Sequence, residues 1–106
     1  ELNIRILGPN CLGILVPDEH LNASFAHLNA LPGPSAYVGH SASLGSALLD
    51  WAGARGIGFS HFMTVGSSAD LRISDIVDHL STDRRVRSIL IHLEHIRDAN
   101  RLLIAM

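Results

Sequence analysis

Between Ser35 and Met106 short apolar runs alternate with helical stripes, and this alternation constrains the fold more than any other feature of the chain. Ala36-Tyr37-Val38 reads as a short strand. Leu44, Ala47, Leu48, Trp51 and Ala52 then recur at i, i+3, i+4, i+7 and i+8, the stripe of an amphipathic helix. Ser41 or Ser43 can cap that helix, Arg55 suits its C-terminus and Gly56 is a natural stop. Phe59 to Val65 reads as the next strand, ending at Gly66-Ser67-Ser68. Ile73, Ile76, Val77 and Leu80 form a second helical stripe. Ser88 to Leu93, built around Ile89-Leu90-Ile91, is a continuous apolar run of the kind a strand buried on both faces shows. A third helix begins near Asp98. This spacing requires right-handed crossovers and a parallel sheet between helical layers. The expected class is α/β and three-layer. Strands are expected near Ala36–Val38, Phe59–Thr64 and Ser88–Leu93, and helices near Ala42–Arg55 and Ser74–Ser81.

The first third of the chain is less regular. Ile4 to Leu7 is a short strand candidate that stops at Gly8-Pro9-Asn10, a strong breaker. Leu12 to Val16 is a second extended run, closed by Pro17. Asp18 to Pro34 has no defensible period and holds Pro32-Gly33-Pro34, which argues against a regular element there. It reads as a connector over the surface.

Composition removes several classes. With 47% apolar residues the chain can bury a core, and at net charge −2 it has no basic excess for nucleic acid. No apolar run reaches the roughly 18 residues of a membrane span. Cys11 is the only cysteine, so no internal disulfide forms, and a reducing cytoplasm is the expected location. The chain has no initiator Met, and Asn100 to Met106 reads as a helix just begun, so it is expected to be a fragment of a longer protein.

In parallel sheets ligands sit beyond the carboxyl ends of the strands, here at Gly39–Ser43, Gly66–Ser68 and Glu94–Arg97. A small-residue turn opening a helix presents free N–H groups and a positive dipole end, which suits a phosphate. Packing alone also favours small residues in such turns, and both readings stand at this point. Glu94 ends a buried strand and needs a partner, for which a histidine is suited. His40 can donate to a phosphate or simply face solvent. Gly39-His40-Ser41-Ala42-Ser43 nearly imitates a nucleophile elbow but lacks its last glycine, so capping is the more ordinary role of Ser41. His92-Leu93-Glu94-His95 invites a metal reading, but residues 92 and 94 share one strand face and His95 faces away, so no metal site is expected. Asp70, Asp75 and Asp78 read as carboxylates of the second helix's first turn and solvent face, and Cys11 as a small buried residue.

Three segments together resemble one family. "RILGPNCLGILVP" (Arg5–Pro17), "AYVGHSASLGSALLDWAGARGIGFSHFMTVGSSADL" (Ala36–Leu71) and "ILIHLEHIRDANRLL" (Ile89–Leu103) are similar to the NDP-forming acyl-CoA synthetases, relatives of the succinyl-CoA synthetase alpha subunit. "LNASFAH" (Leu21–His27) and "LLDWA" most resemble the branch fused to a GNAT protein lysine acetyltransferase. The resemblance implies that residues 1–17 end a Rossmann-like CoA-binding domain, 18–34 form a connector, and 35–106 are the first half of a flavodoxin-like ligase domain. It also implies that Ala36–Val38 lies between the other two strands.

Site roles follow from the same resemblance. Gly8, Pro9 and Asn10 match the motif beside CoA and the active-site loop. Gly39, His40, Ser41 and Ala42 match the turn that binds the phosphate of a phosphohistidine, with Ser43 following. Here one serine of that pattern is kept, as Ser41, and Ala42 stands where the family has glycine. Gly66 and Ser67 match a wall of the acyl and phosphate site. Glu94 matches the glutamate that supports the phosphohistidine, and His95 replaces a glycine. The phosphohistidine itself falls beyond Met106. Implied ligands are coenzyme A or acetyl-CoA, phosphate and ADP or ATP, with Mg in the full-length protein. Implied partners are an acyl-CoA and the remaining domains or a beta-type ATP-grasp partner; a sheet cut at three strands leaves an open edge, so the isolated chain is expected to associate or to be marginally stable, and neither nucleic acid nor membrane is expected. Three functions compete: part of an ADP-forming acetyl- or acyl-CoA ligase, a non-catalytic acetyl-CoA-sensing region of a fused acetyltransferase, and a flavodoxin-like structural domain without ligand.

Overall fold

The computed structural model describes residues 3–106. Its strands are β1 (Gly13–Val16), β2 (Leu21–Ser24), β3 (Pro32–Gly39), β4 (Phe59–Thr64) and β5 (Ser88–His92). Its helices are α1 (Ala42–Ala54), α2 (Ile73–Ser81) and α3 (Ala99–Ala105), with a 3-10 turn at Pro17–Glu19. The five strands form one sheet in the order β2-β1-β4-β3-β5. β3 pairs in parallel with both β4 and β5, as expected for the strand between them.

The sheet is mixed rather than wholly parallel. β1 runs antiparallel to β4, and β2 antiparallel to β1. Part of the expected connector is therefore an edge hairpin, with β2 joined by register from Gly13↔Ser24 to Val16↔Leu21. Its residues are mostly exposed, so no alternation marked it in the sequence. Pro32-Gly33-Pro34 also belongs to a strand. β3 begins at Pro32 with register irregularities between Pro32, Ser35 and Ala36, so the prolines fall where the ladder is interrupted. Ile4 to Leu7, by contrast, is not a strand; it runs as irregular chain against the loop before α2.

Helices cover both faces. Ala36, Val38 and Met63 pack against Ile73, Ile76, Val77, Leu80 and Leu102 of α2 and α3. Tyr37 and Phe62 pack against Leu49 and Ala52 of α1. The buried stripe of α1 is Gly45, Leu49 and Ala52, one residue round from the stripe read in the sequence; Leu44 and Trp51 are exposed. The helix comes so close to β4 that a β-carbon at Gly45 would meet the Thr64 methyl at 2.9 Å, and a leucine there would not fit. β5 is also not buried on both faces. Ile89 and Ile91 join the α2/α3 core, while Leu90, on the α1 face of an edge strand, is 52% exposed.

His61 of β4 is buried, with Nδ1 unpartnered and Nε2 3.6 Å from Asp83 Oδ2. Burial and the Arg85 charge lower its pKa below the ordinary 6.5, against the opposing pull of Asp83 and Glu19. The unfolded chain therefore takes up a proton near pH 6.5 that the folded chain declines. Stability is expected to fall as pH drops from 7 to 5, and less so in His61→Gln. Denaturant midpoints of both proteins across that range are the check; identical slopes would exclude this origin. Asp83, held far below the usual carboxylate range by Arg85, titrates below this window.

Candidate functional site

The carboxyl ends of the parallel strands are level: Gly39 pairs with Thr64 on one side and with His92 on the other. The ladder continues one step beyond them. Val65 N–H donates to Gly39 O at 2.8 Å, Gly66 N–H to His40 O at 3.1 Å and His40 N–H to His92 O at 3.3 Å. Three turns thus leave the sheet side by side at Gly39–Ser43, Gly66–Ser68 and Glu94–Arg97.

Gly8-Pro9-Asn10 is clamped onto the second of these turns. Ser67 N–H donates to Pro9 O at 2.8 Å, Ala69 N–H to Gly8 O at 2.9 Å and Leu71 N–H to Ile6 O at 3.1 Å. Asp70 locks the seam, accepting from Ile6 N–H at 2.8 Å and pairing with Arg5 at 3.0 Å. Asp70 is therefore a seam residue rather than part of the second helix. The Arg5 contact and the Ile6 N–H both hold its pKa below the carboxylate norm. Gly66, at φ +54°, permits the closest approach: a β-carbon there would sit 2.6 Å from the carbonyl carbon of Asn10. Cys11 is half-buried, its thiol 3.7 Å from Leu7 O. Leu12 N–H donates to the buried Thr64 hydroxyl at 2.6 Å, fixing the same segment on the α1 side.

At the first turn Ser41 is the N-cap of α1, its Oγ accepting from Leu44 N–H at 3.1 Å. The hydroxyl proton stays free to donate, as do first-turn N–H groups that have no intrahelical acceptor. Tyr37, missed in the sequence, ends beneath this turn. Its buried hydroxyl has no hydrogen-bond partner and lies over Gly39, which a β-carbon would displace. Burial raises the Tyr37 pKa, and the charge of Glu94 adds to the rise. The hydroxyl is thus a neutral donor near a carboxylate.

Glu94 is exposed, not buried as expected from a strand end, because β5 stops at His92. A histidine does hold it, through the backbone: Glu94 N–H donates to His40 Nδ1 at 3.1 Å. That leaves the His40 proton on Nε2. His40 stacks on His95 at 4.2 Å, and burial followed by the His95 charge lowers its pKa. Alternation along β3 sends the His40 side chain to the α2/α3 face, away from the turn in which Ser41, Ala42 and Ser43 sit. There it lines a small cleft with Ser68, Arg72 and Arg97, which Ser41 to Ser43 do not reach. Ser68 and Arg72 were not singled out by sequence reasoning, since a serine in a turn and an arginine before a helix carry no distinctive spacing. Among the described residues no group of three His, Cys, Asp or Glu side chains is placed to hold a metal, and no helix is long and apolar enough to cross a membrane.

The family of the succinyl-CoA ligase-like flavodoxin domain matches residues 32–106, from the first residue of β3 onward. The chain belongs to that family. It is 38% identical over 103 residues to the alpha subunit of an ADP-forming acetate–CoA ligase of Pyrococcus furiosus, covering 97% of this chain and 22% of the relative. It is 35% identical to an ADP-forming acetate–CoA ligase of Methanocaldococcus jannaschii, covering 97% and 15%. It superposes with TM-score 0.87 and 36% identity on a dinucleotide-forming acetyl-coenzyme A synthetase of Ca. Korarchaeum cryptofilum, solved in complex with phosphate and ADP, covering 95% and 22%. The chain thus spans less than a quarter of the length of these relatives.

Proposed function

We propose that this succinyl-CoA ligase-like chain is part of an ADP-forming acyl-CoA synthetase and supplies the phosphoryl-handling wall of its active site. The observation that carries the reading is the meeting of Gly8–Asn10, Gly39–Ser43, Gly66–Ser67 and Glu94 at one end of the sheet, through main-chain bonds and the bond from Glu94 N–H to the His40 imidazole. The boundaries read from the sequence, 1–17, 18–34 and 35–106, are kept as the functional division, although the first two segments share the sheet with the third.

In this reading the Ser41 hydroxyl, the N–H groups of Ala42 and Ser43 and the Tyr37 hydroxyl stabilise phosphoryl oxygens. The unpartnered Tyr37 hydroxyl is an observation in favour of an anion. Glu94 holds and charges the histidine that carries the phosphoryl group, entering from elsewhere in the protein. Gly8, Pro9 and Asn10 border the acyl-CoA, and Gly66 and Ser67 close the wall. Phosphate, acyl-CoA and ADP or ATP with Mg are the reactants, and further domains or a nucleotide-binding subunit complete the site. The open edge of β5 is where further strands would pair, and the isolated chain self-associates there. The similarity to ADP-forming acetate–CoA ligases favours a ligase over an acetyl-CoA-sensing region of a fused acetyltransferase.

The test is turnover by the full-length protein supplied with acetyl-CoA, phosphate and ADP. ATP formation that requires all three, and falls about 100-fold in Glu94→Gln as loss of an acid–base group does, is the expected result. Acyl-CoA binding without ATP formation would replace the ligase reading by the sensing one.

A further inference from the structure

The end of β3 serves two sites with opposite faces. Tyr37 and Gly39 face α1, whereas Val38 and His40 face α2 and α3. On that second face a cleft of about 40 Å³ lies between the β3 terminus, the first turn of α2 and the loop from β5 to α3. We propose that this cleft is a second oxyanion site, separate from the α1 turn, for an anion of the size of phosphate or a short carboxylate.

Its polar lining consists mainly of donors. His40, its Nδ1 occupied by Glu94 N–H, presents Nε2–H. Ser68 lines the cleft, is 6% exposed, and its Oγ is buried without a hydrogen-bond partner. A buried hydroxyl left unpaired is costly, and a bound acceptor removes that cost. Ser74 is 5% exposed and stands in the first turn of α2, where the cap takes up the N–H groups of Arg72 and Asp75 and leaves those of Ile73 and Ser74 without a partner among the described residues. Arg97 brings one guanidinium group, and Arg72 a second that is shared with Asp98. The one carboxylate, Asp98, is already engaged: it caps α3 by accepting from Arg101 N–H at 3.1 Å and lies 3.6 Å from Arg72 Nη1. Arg97 makes no ion pair among the described residues.

Size selects among anions. A single water needs roughly 10–15 Å³, so about 40 Å³ suits a phosphate or acetate and not a nucleotide. Leu93 and Ile96 on the outer wall give a short alkyl group an apolar neighbour.

Isothermal titration of the full-length protein with inorganic phosphate and with acetate tests the site. Chloride at equal ionic strength is the control. In the Ala42→Asp background, where the α1 turn is closed to anions, one equivalent of phosphate or acetate is expected to bind still. Ser68→Ala and Arg97→Gln are each expected to weaken it about tenfold, the loss of one charge-assisted contact. The same two variants in the otherwise unchanged protein give the result without relying on Ala42→Asp. Stronger binding of phosphate assigns a phosphate site, and displacement of phosphate by acetate a carboxylate site. Binding of neither anion, or binding indifferent to Ser68 and Arg97, overturns the proposal. The ATP-forming assay is a separate measurement, so a failed ligase reading leaves this result standing.

Discussion

Gly66→Ala is expected to be among the most disruptive single-methyl changes in the chain. Position 66 sits at φ +54°, which costs an L-residue roughly 1–2 kcal/mol. The added carbon would also press into the carbonyls of Pro9 and Asn10, which are main chain and cannot rotate aside. Relief requires the 6–10 segment to lift off the 66–71 loop, breaking the bonds from Ser67 to Pro9 and from Ala69 to Gly8. The combined loss is on the order of 3 kcal/mol, a large share of an ordinary domain's stability. Denaturant unfolding of wild type and variant measures it. A midpoint within error of wild type would mean that the seam is not held by close approach at Gly66.

Ala42→Asp isolates chemistry from folding. Ala42 is the first residue of α1, and Ser41 remains its cap. An aspartate at a helix N-terminus is favoured by the dipole by about 0.3–1 kcal/mol, so the fold should hold. The same carboxylate occupies the position of the proposed phosphoryl oxygens. Two unit charges about 4 Å apart near a surface repel by roughly 4 kcal/mol. That corresponds to a loss of about 1,000-fold in anion affinity. ATP formation from acetyl-CoA, phosphate and ADP should fall to background while circular dichroism is unchanged. A folded variant with undiminished turnover would assign the small turn to packing alone.

The parallel part of the fold was legible because period reveals burial. Tyr37 and Val38, or Ile76 and Leu80, lie where alternation or helical spacing places them. β2 was not legible because Leu21 to Ser24 is exposed, and its pairing is dictated by the neighbouring β1. The α1 stripe was read one residue off because Gly45, which carries no hydrophobic signal, makes the closest approach. For the site, the three turns and the Gly8–Asn10 motif were found from small-residue composition and resemblance, and the structure brings them together. Roles that depend on direction were hidden. The β3 pleat turns His40 away from Ser41, and Tyr37 reads only as a strand residue until its hydroxyl is seen unpaired over Gly39.

The seam between residues 6–10 and 66–71 is built from peptide groups, and this bears on how such a chain can diverge. Side chains at Ser67, Ala69 and Leu71 can be exchanged by drift while their hydrogen bonds to the 6–9 segment stay, since every non-proline residue offers the same N–H. Lineages can therefore change the lining of this corner without rebuilding its frame. Gly66 and Asp70 have no such latitude, one fixed by space and the other by its two partners. Tolerated substitutions should gather around those two positions and seldom at them.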